Sequence, residues 1–243
     1  VGANNFPLRG GKASNFEGGI RVNAFVAGGV LPDAMRGRKL NGLGTVWDWY
    51  GTFAAMGGSD PYDKRAAAAG LPPVDSVNLW PWISGEASTS GRSSIALGTS
   101  SCVPGDTAPG CINEWGAAPS RTLVDGLIVD EGSSGGGLWK LLVGHIPMDG
   151  WQGPQYPNAS SLNWAAEDSI HSCSPGCLFR IDVDPTEHED LADVYPQRVQ
   201  TMLAELRKHN ASTFSPDRGT PDLDGACDAA LKQHGGFWGP WLR

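Results

Sequence analysis

Four short apolar runs, at 94–98, 122–129, 138–143 and 178–183, follow one another in the second half of the chain, each bounded by Gly, Pro or Ser. Runs of this length and composition read as strands, and four in series predict a small antiparallel sheet. A helix is expected after Asp193. Pro196 falls in its first turn, Val199, Met202, Leu203 and Leu206 share one face, and Arg207, Lys208 and His209 sit where the helix dipole favours cations. That apolar face should pack on the sheet.

The first 90 residues are less regular. Residues 1–17 carry Gly, Asn and Lys without periodicity and read as an extended loop. The apolar run at 20–26 after Gly18-Gly19 predicts a buried strand. Thr45 and Asp48 resemble a capping box, Val46, Trp49, Tyr50 and Phe53 follow at helical spacing, and Gly57-Gly58 supplies a stop. Residues 60–79, with Asp60-Pro61, an alanine run at 66–69 and Pro72-Pro73, predict turns around a short helical piece, and 79–83 forms an apolar anchor. The aromatic tail at 237–241 should dock on a larger body, because so much ring surface is costly to leave in water.

Composition excludes several classes. With 40% apolar residues the chain can fill a core, and 26 acidic against 18 basic residues give a net charge of -8. No Lys/Arg run tracks a phosphate backbone, which argues against nucleic acid. No stretch reaches the roughly 18 apolar residues of a membrane span, and the first residues lack signal-peptide order, so a signal is removed or the start is missing. Five cysteines favour an oxidising compartment: Cys102 and Cys111 flank a Pro/Gly loop and Cys173 and Cys177 enclose Ser-Pro-Gly, two candidate disulfides, with Cys227 left over. Asn158 and Asn210 each begin an Asn-Ala-Ser glycosylation pattern. A secreted, extracellular or lysosome-like setting is expected.

Several chemical patterns fail on context. Gly132-Ser133-Ser134-Gly135-Gly136 matches a nucleophile elbow, but it joins two expected strands where that chemistry needs a strand, turn and helix. Cys102 has no cation beside it to stabilise a thiolate. Asp182, Asp184, Glu187, Glu189, Asp190 and His188 crowd one segment, yet the glycine of a calcium loop is absent and a solvated turn is the better reading. The remaining histidines show no zinc spacing. Trp47, Trp49, Trp80 and Trp139 fall in expected elements and are assigned to the core, whereas Trp115, Trp151 and Trp164 lie in loops.

The segment Asn4-Asn5-Phe6-Pro7-Leu8-Arg9-Gly10-Gly11-Lys12, followed by Phe16-Glu17-Gly18-Gly19-Ile20-Arg21, closely resembles the sulfatase family, especially enzymes of the arylsulfatase B type. The resemblance continues through Asp48-Trp49-Tyr50-Gly51-Thr52-Phe53, Leu79-Trp80-Pro81, Trp139-Lys140-Leu141-Leu142, Glu189-Asp190-Leu191 and Phe237-Trp238-Gly239-Pro240-Trp241, so that it covers nearly the whole chain.

The resemblance implies an alkaline-phosphatase-like α/β fold, of which residues 1–90 would supply late elements of the large domain. Residues 91–243 would form a C-terminal small domain, a four-stranded antiparallel sheet plus helix. It further implies hydrolysis of sulfate monoesters, the substrate being a sulfated small molecule or glycan, by a formylglycine made from cysteine in a C-x-P-x-R motif, with calcium as cofactor. Lys12 falls on the family lysine that contacts the sulfate, making it the candidate catalytic and substrate-binding residue, and Gly10 and Gly11 would let the backbone approach the ligand. Glu17 and Arg21 suit a structural ion pair, and Arg9 suits either a surface or a substrate role. The nucleophile and metal ligands would lie upstream of Val1, in a missing N-terminal half, so this chain alone is expected to be inactive. Two other readings stand beside this one: a non-catalytic carbohydrate-binding fragment that uses its tryptophan-rich loops, and a phosphate or phosphonate ester hydrolase of the same superfamily.

Overall fold

The computed structural model describes residues 5–12, 14–98, 124–132, 136–151, 170–213 and 223–239. Its centre is the expected four-stranded sheet, except that the last strand is displaced: it runs Ile170–Arg180 where 178–183 is expected, and 181–183 form a turn. Strands β1 (Ser94–Gly98), β2 (Val124–Asp130), β3 (Leu138–Pro147) and β4 (Ile170–Arg180) lie in the order β1-β2-β3-β4, every pair antiparallel. The fold is thus mixed α and β, built on an antiparallel four-stranded sheet with helices.

Both faces of the sheet are covered, for different reasons. Side chains alternate along each strand, so Leu127, Trp139, Leu141, Val143 and Leu178 share one face, and there they meet Val199, Met202, Leu203 and Leu206 of a helix at Pro196–Ser212. The opposite face carries Ile128, Leu142, Ile146, Cys173 and Phe179, and on it sits Phe16 from the N-terminal segment together with Leu43. The first segment of the chain is therefore bound directly to the sheet, across residue 90.

In chain order the helices are α1 (Glu17–Ile20), α2 (Asp48–Met56), α3 (Lys64–Ala68), α4 (Trp80–Ser84), α5 (Pro196–Ser212) and α6 (Leu223–Lys232), with a 3-10 turn at Asp33–Met35. The alanine run forms α3, capped by the Asp63 carboxylate on the amides of Arg65 and Ala66. The anchor at 79–83 becomes α4, with Leu79 and Ile83 buried. Sequence patterning carried no sign of α6.

Three expectations are corrected. The run at 20–26 is not a buried strand: α1 ends at Ile20, residues 21–27 hold no regular structure, and Val22 and Phe25 are 81% and 90% exposed. A strand needs a neighbour to take its backbone groups, and among the described residues none lies beside it. Helix α2 forms in the expected stretch but starts at Asp48, with Trp47 at its N-cap in place of Thr45, and it is turned the other way, burying Asp48, Gly51 and Thr52 while Val46, just before it, and Tyr50 and Phe53 face outward. Trp47 is exposed instead of core, Trp49 and Trp80 are half-buried, and Trp139 alone of the four is fully buried. Phe237 and Trp238 of the tail are exposed in this chain.

The Cys173–Cys177 disulfide is present. It closes a bulge in β4, because Leu142 opposes Cys177 and Gly144 opposes Cys173, leaving 174–176 looped out. Cys227 is free and exposed. Cys102, Cys111, Asn158, Trp115 and Trp164 lie outside the described residues. Asn210 is half-buried in the last turns of α5.

A candidate site on the Lys12 loop

Lys12 stands exposed at a turn whose two flanks are tied down. The Leu8 amide donates to Asn5 O at 2.7 Å, the Gly10 amide to Gly150 O at 2.9 Å, and the Gly18 amide to Arg9 O at 2.7 Å, while Arg9 makes an antiparallel bridge with Trp151. The loop is thereby held to the segment after β3 on one side and to α1 on the other.

Arg9 is neither on the surface nor free for a substrate. It is 5% exposed; its Nε donates to Asp149 O at 2.7 Å and its Nη1 to Glu187 O at 3.2 Å, with the guanidinium 4.0 Å from the Phe16 ring and 4.5 Å from the Trp151 ring. Nη2 lies 3.2 Å from His171 Nδ1. The same Nδ1 lies 3.4 Å from Asp149 Oδ2, so Arg9, His171 and Asp149 form one polar cluster. Burial pulls the Arg9 guanidinium below its ordinary value, against the opposing charges of Asp149 and Glu187.

Beneath the loop lies a group that sequence reading missed. Lys140, wholly buried in β3, places its Nζ 3.0 Å from Glu17 Oε1 and 2.7 Å from Glu187 Oε1. Its aligned hydrogen bond goes to Glu17, and Glu187 Oε1 is held by charge without a hydrogen-bonding geometry of its own. Glu187 Oε2 accepts from the Glu17 amide at 2.6 Å. Burial pushes the Glu187 carboxyl up, against the pull of Lys140. The expected Glu17 and Arg21 contact exists at 3.6 Å, but Lys140 is the nearer partner. One signal was in the sequence: a lysine inside the otherwise apolar Trp139-Lys140-Leu141-Leu142-Val143 run, in a sheet covered on both faces, requires a buried countercharge.

The glycines serve the protein's own packing. A Cβ on Gly10, whose φ is +75°, would meet Ser14 Oγ at 2.8 Å and Phe16 Cβ at 2.9 Å, and one on Gly11 would meet Asn5 Nδ2 at 3.2 Å. On Gly18 it would lie 2.5 Å from Arg9 O, and on Gly19 2.1 Å from Ser14 O. At Gly10 and Gly11 the close approach seen is therefore to the chain's own Asn5, Ser14, Phe16 and Met148.

The acidic segment at 182–190 is a turn, as expected. Asp184 Oδ2 accepts from the amides of His188 and Glu189, its Oδ1 accepts from Thr186 Oγ1, and Asp190 Oδ1 takes the amides of Leu178 and Ala192. These oxygens are already committed, and Glu187 is engaged by Lys140, so Asp184, Glu187 and Asp190 are used by the turn itself and not arranged around a cation. His171, Cys173 and Cys177 bring ligand atoms within 4.8 Å of one another, but both sulfurs are spent in the disulfide. Cys173-Ser174-Pro175-Gly176-Cys177 also begins like C-x-P-x-R, with Cys177 in place of arginine. The Trp151 ring is stacked by His188 at 4.3 Å besides Arg9, and its Nε1 donates to Thr186 O, which leaves it poorly placed to stack on a sugar. No helix among the described residues is long and apolar enough to cross a membrane.

No protein-family model matches the chain. Among curated proteins, arylsulfatase J of Mus musculus is 30% identical over 250 residues, a match that takes in 100% of this chain and 37% of the relative. The chain thus spans little more than a third of that relative's length. A solved structure described as BT33336S-sulf, from work on glycosaminoglycan metabolism by Bacteroides thetaiotaomicron, matches over 84% of this chain and 32% of its own, at 16% identity and a TM-score of 0.44. That likeness is too loose to add to the sequence comparison. Along its whole length, the chain is a relative of the sulfatases.

Proposed function

We propose that this chain is part of a sulfuric ester hydrolase and contributes Lys12 to the site that holds the sulfate group. The observation that supports this is the sequence relationship to an arylsulfatase over the full chain, joined to an exposed Lys12 on a loop whose base is tied down on both sides. An ammonium at the sulfate oxygens offsets charge as the ester bond breaks. The sequence holds no C-x-P-x-R motif, so the nucleophile, and with it any metal ligands, would come from a further part of the same polypeptide. The outward apolar face of α2 and the exposed segment at 21–27 are the surfaces that such a part would cover. The substrate would be a sulfated small molecule or glycan, and the setting secreted or lysosome-like.

The test uses this chain and the longer protein on matched aryl sulfate and aryl phosphate, with calcium present. The chain alone should give no turnover, and in the longer protein Lys12→Ala should lower kcat/KM for the sulfate ester about 100-fold or more. A clear preference for the phosphate ester, or turnover by the chain alone, sinks the proposal.

A further inference from the structure

We propose that Lys140, clamped between Glu17 and Glu187, is the positioning residue that fixes the loop carrying Lys12 against the sheet. As a contribution to catalysis this rests on the role of Lys12 proposed above; as a means of holding the loop it stands on geometry alone.

Three charged groups from three separate segments meet in this cluster. Glu17 opens α1, Lys140 sits in mid-β3, and Glu187 belongs to the turn after β4; their side chains are 4%, 0% and 0% exposed. Stripping ions of water is expensive, and a buried ion cluster seldom stabilises a fold more than apolar side chains of the same volume. What it supplies is direction, since one ammonium must lie within reach of both carboxylates at once. Glu187 then grips the loop on both sides of Lys12. Its carboxylate takes the Glu17 amide at 2.6 Å and its carbonyl takes Arg9 Nη1 at 3.2 Å. Arg9 and α1 close on each other through the Gly18 amide and Arg9 O. Lys12 itself does not touch the cluster, so Lys140 acts on it through the backbone. Arg21, the residue just after α1 and 3.6 Å from Glu17, also faces the cluster, and it is half in solvent.

Hydrogen exchange on the full chain decides this. Lys140→Met alone would strand two buried carboxylates and could unfold the protein, so the informative variant is the triple Glu17→Gln, Lys140→Met, Glu187→Gln, which removes all three charges together. It should melt cooperatively near the parent and keep protection in β3, β4 and α5, while amides of residues 8–12 and 17–19 exchange roughly tenfold faster. Lys140→Arg alone, which keeps a cation between the two carboxylates, should retain loop protection. Exchange that quickens equally through β3 and α5, or a loop unchanged in the triple variant, overturns the proposal. Titration with inorganic sulfate separates it from the reading of Lys12. The triple variant and Lys12→Ala should weaken sulfate binding alike. Binding indifferent to Lys12→Ala would count against Lys12 as the sulfate contact, with the clamp still decided by the exchange data.

Discussion

Arg92 Nε donates to Asp48 Oδ2 at 2.7 Å while its Nη2 donates to Asp48 Oδ1, so a residue just before β1 grips the first residue of α2 with two prongs. The same carboxylate accepts from the Thr45 amide and hydroxyl and from the Val77 amide, each at 2.8 Å. This fully satisfied buried acid is what turns the polar side of α2 inward. Asp48→Ala leaves Arg92 and three donors without their acceptor, and the expected loss is about 3 kcal/mol, typical of breaking a buried pair. Urea unfolding at neutral pH measures it.

The pH dependence of that contribution has a definite sign. Burial alone would raise the Asp48 carboxyl, but Arg92, Val77 and Thr45 together outweigh it and hold it below the usual carboxylate range. Its stabilisation is complete above the ordinary Asp value of about 3.9 and is lost as pH falls through the lower folded value. The parent should therefore lose stability in acid more steeply than Asp48→Asn, a difference read from urea midpoints between neutral pH and pH 3. Equal slopes would mean that Asp48 is not the ionised partner of Arg92.

Glu187 behaves in the opposite sense. Burial is the largest influence and raises its carboxyl despite Lys140. A raised group contributes fully below the ordinary Glu value of about 4.3, and that contribution is lost as pH rises through the folded value. The stability advantage of the parent over Glu187→Gln should accordingly shrink as pH rises from acid towards neutrality. The same unfolding series checks it, and an advantage that grows with pH would mean that Lys140 outweighs burial and holds the carboxyl down.

Gly19→Ala tests the fit between loop and helix. The added carbon would lie 2.1 Å from Ser14 O and 2.4 Å from Gly11 O, both backbone atoms that can yield only by moving the loop. Forced overpacking of this kind costs about 1–3 kcal/mol. Gly29→Ala, where a Cβ meets nothing within 4 Å, is the matched control and should change little. If both variants unfold at the same urea concentration, the loop is not packed against α1 in solution.

Much of the second half was legible because its elements satisfy one another within the chain. The strands and α5 each present an apolar face that finds its partner, so periodicity alone located Val199, Met202, Leu203 and Leu206. Lys140 escaped because its partners, Glu17 and Glu187, are far away in sequence and only the fold brings them together. Arg9 escaped likewise: a lone arginine beside glycines looks like a surface residue until Asp149, Glu187 and two aromatic rings are seen around it. The first half misled for another reason. The patterns at 20–26 and on α2 are those of buried elements, yet nothing among the described residues covers them.

That mismatch yields a prediction on the exposed apolar surface. Tyr50 and Phe53 face outward from α2, with Phe53 62% exposed and stacked on Trp49 at 5.4 Å, and Phe25 stands clear on the segment at 21–27. Replacing an exposed side chain ordinarily shifts stability by no more than about 0.5 kcal/mol. In this chain, therefore, Phe25→Ser and Phe53→Ser should leave the unfolding midpoint nearly unchanged while lowering the binding of a hydrophobic dye. If the chain is part of the longer polypeptide proposed above, the same two substitutions there should behave as core truncations, each costing about 3 kcal/mol or more where the rings are covered. A small effect in both lengths of protein would mean that this face meets solvent in each, and would remove the structural ground for placing the rest of the polypeptide upon it.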